Sequence, residues 1–188
     1  MLGVKPLLAA QTIDCRVAVH TLCHSMGAYV VREALDHADD GIETGTDWML
    51  NQLVMIGGDV DAADFVDGNK DTESMLGHTY RLTNYFNRYD EVLQISNVKR
   101  AGVAPRVGRV GLPNNAPSNT VNVDCSTYFD TLARPDDPIA AATLSHCWYF
   151  NDAKFYADLA ETLHGAVDRV VIADRGQGSG KTLTLTKT

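Results

Sequence analysis

The segment VHTLCHSMGAYV, residues 19–30, determines how this 188-residue chain folds. Residues 16–23 are apolar and β-branched, which predicts a buried strand, and residues 27–35 place apolar side chains at helical spacing. A strand that runs directly into a helix leaves only a tight turn, with Ser25 at its apex. We therefore predict a nucleophile elbow, in which a strained backbone holds a serine hydroxyl clear of the sheet.

The residues around Ser25 satisfy most of the packing needs of such an elbow. Strand and helix approach closely there, so small residues are needed two positions before and two positions after the serine. Gly27 supplies one of them, and Cys23 stands where the usual G-x-S-x-G motif has its first glycine. The backbone N–H of Met26, at the positive end of the helix dipole, could donate to a developing oxyanion.

A serine hydroxyl is a weak nucleophile at neutral pH, so a base must take its proton and a third group must orient that base. When a nucleophile elbow carries the serine, the acid and then the histidine follow it along the chain. Asp90 follows the third predicted strand, and His146 lies in a predicted loop between the fourth strand and the last helix. Both positions follow strand carboxyl ends, where ligand sites of parallel sheets gather. We expect Ser25 as nucleophile, His146 as base and Asp90 as the orienting acid.

Each of these carboxyl and hydroxyl groups also has a structural alternative. Ser25 and Asp90 both precede helical segments, where either side chain could serve only as an N-cap. Asp59 and Asp61 follow the second predicted strand and remain alternative acids. The acid is therefore assigned by its order along the chain, and the alternatives stay open.

His146 is the favoured base among the histidines. His20 and His24 flank the serine too closely in sequence, and the remaining histidines lie in or beside solvated segments, namely His37, His78 and His164. A loop histidine is often only a surface residue, so the assignment depends on its place in the order serine, acid, histidine.

The remaining pattern predicts an α/β fold with a mostly parallel sheet, because strands alternate with helices. The predicted strands after the first are residues 52–58, 78–86 and 121–126, and the later helices are residues 91–99 and 152–164. Acidic residues end the first helix after residue 35. Loops are expected over most of residues 59–77 and 102–119, and through the prolines at 135 and 138 as far as His146.

The tail differs in character from the rest of the chain. Residues 168–173 and 182–186 are strand-like, and the glycine-rich segment between them predicts a β-hairpin. We therefore expect an α/β-hydrolase-like domain over residues 1–166 and a hairpin tail over residues 167–188. The segment GQGSGKT, residues 176–182, lacks the first glycine of a phosphate-binding loop and has no helix after it, so a hairpin turn is favoured.

The composition excludes several classes of partner. The chain has 16 Lys and Arg against 24 Asp and Glu, a net charge of −8, so nucleic acid is not expected as a partner. No apolar run approaches the ~20 residues of a membrane-spanning helix. The four cysteines form no C-x-x-C pair and the first residues make no signal peptide, so we expect reduced thiols and a cytoplasmic protein. No clustered metal ligands and no cofactor motif are predicted.

Four segments in one order resemble the blocks of a bacterial α/β-hydrolase family of unknown function, whose members carry an A-H-S-M-G elbow. The segments are CHSMGAYVVREAL at 23–35, GGDVDAADF at 57–65, NYFNRYDEVLQIS at 84–96 and SHCWYF at 145–150. The resemblance covers roughly residues 16–164. It implies the catalytic roles already given to Ser25, Asp90 and His146, and a small-molecule acyl substrate such as a carboxylic ester.

One departure from the family affects the expected activity. Its members have about four strands ahead of the elbow, and the residues before position 16 leave no room for them. The second oxyanion donor comes from a loop among those strands, and losing such a donor typically costs ~10²–10³ in turnover. The strand at 16–23 would also be an apolar sheet edge, which we expect the C-terminal hairpin or a second copy of the chain to cover. The alternative function is thus a catalytically weak module that associates through this edge.

Overall fold

A computed structural model describes residues 18–39, 49–99 and 104–186. Six strands in this part of the chain form one sheet. Their bounds are β1 His20–His24, β2 Leu50–Ile56, β3 Thr79–Phe86, β4 Thr120–Asp124, β5 Arg175–Gln177 and β6 Thr182–Leu185.

Helices connect and cover these strands. The α-helices are α1 Met26–Asp39, α2 Lys70–Gly77, α3 Glu91–Lys99, α4 Val107–Val110, α5 Ser126–Phe129, α6 Pro138–Cys147 and α7 Ala153–His164. Short 3₁₀ helices occupy Ala62–Phe65, Trp148–Asn151 and Arg169–Val171. No helix in the described ranges combines the length and the apolar character needed to cross a bilayer.

The sheet has the strand order β1-β2-β3-β4-β6-β5, and all neighbouring pairs are parallel except β5 and β6. The expected α/β architecture, a mostly parallel sheet flanked by helices that forms part of an α/β-hydrolase fold, is confirmed. Because β1 to β4 run in the same direction, the residues that follow them lie along one edge of the sheet.

Each face of the sheet carries its own apolar core. Along β2 the side chains alternate, so Leu53 and Met55 face α1 and α2, while Val54 and Ile56 face the opposite layer. The second layer is rich in aromatic side chains, namely Tyr85, Phe129, Trp148, Tyr149 and Phe155. β2 is buried on both faces, which explains its nearly continuous apolar sequence.

Two predicted loops and one predicted helix end are wrong. The segment before His146 is helix α6, because Asp137 caps it by accepting from the Ala140 N–H at 2.8 Å and Pro138 occupies its first turn. Helix α1 continues to Asp39 instead of ending after residue 35. Its extra turn meets α2, where the Ser74 hydroxyl donates to Asp36 at 3.2 Å. The expected loop at 102–119 contains α4.

The C-terminal hairpin is confirmed, but its first strand is not residues 168–173. Asp168 accepts a hydrogen bond from the Val170 N–H at 3.0 Å, which bends that segment into a 3₁₀ turn, and β5 follows it. β6 pairs in parallel with β4, at the end of the sheet opposite β1. The prediction that the hairpin covers the β1 edge is therefore wrong.

A buried ion pair joins the hairpin to α7 and β3. The Arg175 guanidinium, fully buried, donates from Nε and a terminal nitrogen to the two oxygens of Asp158 at 2.8 and 2.7 Å. The same guanidinium donates to the Tyr85 hydroxyl at 2.9 Å and to the Thr162 hydroxyl. These contacts raise the pKa of Arg175 despite its burial. The network is fully paired, as buried charge requires.

We predict that Arg175→Met destabilises the protein by about 3–5 kcal/mol, because it leaves the Asp158 carboxylate buried without its cation. The matched control is Arg134→Met, which removes an exposed ion pair with Asp130 and should change stability by no more than about 1 kcal/mol. Urea unfolding followed by circular dichroism measures both. Equal midpoints for the two variants would contradict the prediction.

Candidate active site

The predicted site residues lie along the carboxyl edge of the parallel strands. Ser25 follows β1, Gly57 follows β2 and Asp90 lies a short turn beyond β3. His146 reaches the same edge from the last turn of α6. The structure thus brings together four chain segments that are far apart in the sequence.

Ser25 has a backbone φ of 54°, the one positive φ outside glycine in the described residues. Three hydrogen bonds hold this strained conformation. The Ser25 N–H donates to the Ile56 carbonyl at 3.1 Å, and its own carbonyl accepts from the Ala28 N–H at 3.1 Å and the Asp59 N–H at 3.0 Å. The last residue of β2 and the turn after it therefore bind both the N–H and the carbonyl of Ser25.

The turn after β2 begins with Gly57 and Gly58, and Gly108 of helix α4 packs against it. Gly57 has a φ of 53°, and a Cβ on it would lie 3.6 Å from both Asp90 Oδ2 and His146 Cε1. A Cβ on Gly108 would lie only 2.2 Å from the Gly57 carbonyl carbon, so only glycine fits there. The Gly108 N–H donates to the Gly58 carbonyl and its carbonyl accepts from the Asn87 N–H, both at 3.0 Å.

Asp90 and His146 form a buried hydrogen-bonded pair. His146 Nδ1 lies 2.6 Å from Asp90 Oδ2, and the two side chains are 7% and 0% exposed. The other oxygen, Oδ1, accepts from the Leu93 N–H at 2.9 Å, so Asp90 also caps α3. Both interpretations of Asp90, as cap and as partner of the histidine, are thus compatible with one side chain.

Ser145, beside His146, fastens α6 to the turn that carries Asp90. Its hydroxyl accepts from the Glu91 N–H at 3.0 Å, and its carbonyl accepts from the Asn87 side chain at 3.1 Å. Residues on both sides of Asp90 therefore contact the residue before His146. The segments that carry the carboxyl and the imidazole are therefore also joined by hydrogen bonds between side chains and the main chain.

The two alternative acids have other partners. Asp59 lies 3.1 Å from the Arg106 guanidinium, and both side chains are buried. Asp61 caps the 3₁₀ helix Ala62–Phe65 by accepting from the Ala63 N–H at 2.9 Å. In the described structure the carboxyl that contacts His146 is that of Asp90.

The Ser25 hydroxyl stands apart from this pair in its hydrogen bonding. Among the described residues no hydrogen bond links the Ser25 side chain to His146 or to the first turn of α1. Met26 opens α1, so its N–H is among the helix N–H groups that lack an intrahelical acceptor. Hydrogen bonds between a nucleophile and its base are often long without substrate and tighten in the complex with it.

Sequence reasoning missed one residue that contacts the imidazole. His24, which is too close to the serine in sequence to be predicted as its base, donates from Nε2 to the His146 main-chain carbonyl at 3.0 Å. The two rings pack with centroids 4.5 Å apart. Burial lowers the pKa of His24. No local pattern could have revealed this contact, which joins residues 122 positions apart.

The neighbouring thiols are poor rivals to a serine nucleophile. Burial raises the pKa of Cys23 to about 12. Burial and the charge of Asp90 also raise the pKa of Cys147. A thiol with a raised pKa has little thiolate at neutral pH, and the thiolate is the reactive form. Cys23, Cys125 and Cys147 are free, and Cys15 lies outside the described residues.

The parallel sheet, with its serine turn and its histidine beside an aspartate at the carboxyl edge, defines the class as an α/β hydrolase. The model of one family, described as alpha/beta hydrolase of unknown function (DUF900), matches residues 7–131, and the chain belongs to this family. The resemblance inferred from the motif blocks is thereby confirmed. The match includes Ser25 and Asp90, while His146 lies beyond it. No curated protein and no solved structure matches the chain.

We predict that Gly108→Ala destabilises the protein by about 1–3 kcal/mol or more, because the added methyl group overlaps the Gly57–Gly58 backbone. Gly77→Ala is the matched control. It ends α2 with open space around it and should be neutral or stabilising by up to about 1 kcal/mol. Thermal and urea unfolding of both variants test this, and an unchanged Gly108→Ala protein would contradict the close approach.

Proposed function

We propose that the protein is a serine hydrolase of the carboxylesterase type, with Ser25 as nucleophile, His146 as base and Asp90 as the orienting acid. The observation that carries the proposal is the buried 2.6 Å contact between His146 and Asp90 at the carboxyl ends of the parallel strands, where Ser25 also lies. Family membership supports hydrolysis, and the triad and the ester substrate are our additions.

Two further observations support the serine assignment. The positive φ of Ser25 is the backbone strain expected at a nucleophile elbow. Strain of this kind costs about 1–3 kcal/mol, so it persists only where the surrounding structure enforces it. The second observation is that the hydrogen-bond acceptor of the Ser25 N–H is the residue directly before Gly57. The carbonyl of Ile56 accepts from Ser25, and the next residue, Gly57, lies against His146 and Asp90.

The tautomer of His146 follows from its partner. A carboxylate only accepts hydrogen bonds, so Nδ1 of His146 carries the proton in the contact with Asp90. The lone pair is then on Nε2, where it can accept the Ser25 proton. Asp90 also stabilises the imidazolium that forms when this proton arrives.

The reaction would proceed through an acyl-enzyme. Ser25 Oγ attacks the ester carbonyl carbon while His146 Nε2 takes its proton, and the Met26 N–H donates to the oxyanion. The tetrahedral intermediate collapses, the bond to the alcohol oxygen breaks, and His146 returns the proton to the departing alcohol. Water, deprotonated by the same imidazole, then releases the acid and restores Ser25.

The second candidate function is association through the edge of the sheet. β1 pairs with β2 on one side, and no other described strand borders its second side. Apolar side chains are exposed on β1 and on the adjoining helix α1, namely Leu22, Met26, Tyr29 and Val30. An apolar strand edge is a site for strand addition, here by a second copy of the chain.

We also propose a cytoplasmic location. Its support is the free state of the three described cysteines, two of which are buried in the core. Reduced thiols are the rule in the cytosol, whereas secreted proteins tend to pair them.

We predict that Ser25→Ala lowers hydrolysis of a short p-nitrophenyl ester by about 10³-fold or more and abolishes labelling by a fluorophosphonate, because the nucleophile is lost. The matched control, Ser118→Ala, changes an exposed serine that precedes β4, away from the carboxyl ends of the strands. It should retain the wild-type rate and labelling. Hydrolysis and labelling that persist in Ser25→Ala would contradict the proposed nucleophile.

We predict that light scattering finds a dimer and that Leu22→Lys shifts it to monomer, because a charged side chain on a strand edge opposes pairing. Val171→Lys, at an exposed apolar residue outside β1, should leave the dimer intact. A strictly monomeric wild-type protein would remove the association proposal and leave the hydrolase proposal untouched.

A further inference from the structure

We propose that His24 is a positioning residue that holds the imidazole of His146 at the Ser25 turn. This inference rests on the proposed function, since it assigns His24 to the same site. It concerns the placement of the base, and it gives His24 no contact with the reacting atoms.

The geometry of His24 carries the proposal. Its Nε2 lies 3.0 Å from the His146 carbonyl oxygen, and its ring packs on the His146 ring with centroids 4.5 Å apart and planes inclined by 43°. The His24 ring also meets Phe150, with centroids 4.9 Å apart and planes at 86°. It therefore contacts two residues of one chain segment, His146 in the last turn of α6 and Phe150 in the 3₁₀ helix that follows.

The His146 carbonyl needs an outside donor. It lies in the last turn of α6, where main-chain carbonyls have no intrahelical N–H to accept from. The donor that reaches it is the His24 side chain. Helix α6 therefore ends against β1 through a side chain that precedes the serine by one position.

The contact of His24 with His146 links the base to the nucleophile, since no hydrogen bond joins His146 and Ser25 directly among the described residues. His24 is covalently bonded to Ser25, and its backbone is in register with Ile56 in the sheet. A rigid strand thus fixes where the His24 ring stands, and that ring fixes where the His146 main chain stands. Asp90 orients the imidazole through Nδ1, and His24 positions the main chain that carries it relative to Ser25.

The hydrogen bond of His24 fits a positioning role. A carbonyl oxygen only accepts, so Nε2 of His24 carries the proton and the lone pair of the neutral ring is on Nδ1. Burial lowers the pKa of His24, so its ring is neutral at pH 7. A neutral ring at 4.5 Å leaves the positive charge that His146 acquires during the reaction unopposed.

The test compares three variants. His24→Phe keeps an aromatic ring and removes the donor, whereas His24→Gln keeps an N–H donor that can reach the same carbonyl. His37→Phe is the matched control, since His37 is an exposed histidine of α1. Ester hydrolysis gives kcat and KM, and the ¹H NMR signal of the His146 Nδ1 proton reports the contact with Asp90 without requiring turnover.

We expect His24→Phe to lower kcat by about 10²-fold with little change in KM, because the base loses its alignment. His24→Gln should recover most of that loss, and His37→Phe should match the wild type. The Nδ1 proton of His146 should shift and exchange faster in His24→Phe alone. If His24→Phe does not fold, His24→Met replaces it as the variant without a donor.

Two results would overturn the inference. One is wild-type kcat together with an unchanged His146 Nδ1 signal in His24→Phe. The other is an equal loss in His24→Phe and His24→Gln, because the donor would then not matter. Failure of the proposed function is distinguishable, since in that case Ser25→Ala would hydrolyse the ester like the wild type while the Nδ1 signal would still report on His24.

Discussion

The constraint on which the candidate site depends is the left-handed backbone of Ser25. A serine adopts a positive φ only where its surroundings enforce it, and here the enforcement comes from the strand next to it. Main-chain groups of Ile56 and Asp59 bind the two ends of the Ser25 residue. Gly108 then packs against the same turn so closely that no side chain fits. The conformation of one serine thus depends on three segments that meet at a single point of the sheet.

Much of the fold and part of the site were predictable from the sequence. β2 and β3 are apolar runs bounded by polar turns, and such runs indicate strands without knowledge of their partners. The sequence predicts Ser25 from the strand that runs directly into a helix, and Asp90 from the order serine, acid, histidine, with both positions following predicted strands. The prolines at 135 and 138 predict a loop that extends to His146. The pair Asp137-Pro138 is equally a helix start, and the structure has the helix.

The features that escaped prediction depend on contacts between distant segments. Gly108 lies in a glycine-rich region where nothing local distinguishes a flexible glycine from one that meets another backbone. The nearness of His24 to the serine argues against a role as its base, and nothing local indicates that His24 contacts a residue 122 positions away. The segment 168–173 is strand-like in composition, yet the side chain of Asp168 turns it. Composition and spacing describe a segment by itself. The roles of Gly108 and His24 depend on segments that are distant in the sequence, and the turn at 168–173 depends on one capping oxygen of Asp168.

The pairing of Arg175 with Asp158 has a consequence for biosynthesis. A chain synthesised from its N terminus exposes Ser25, Asp90 and His146 before the ribosome has added the cation that neutralises Asp158. A layer beneath α7 that closed before Arg175 was made would bury this carboxylate without its cation, and burying such a charge is costly. We therefore expect stable closure of that layer to require Arg175, so the contact links the completion of the core to the synthesis of the hairpin.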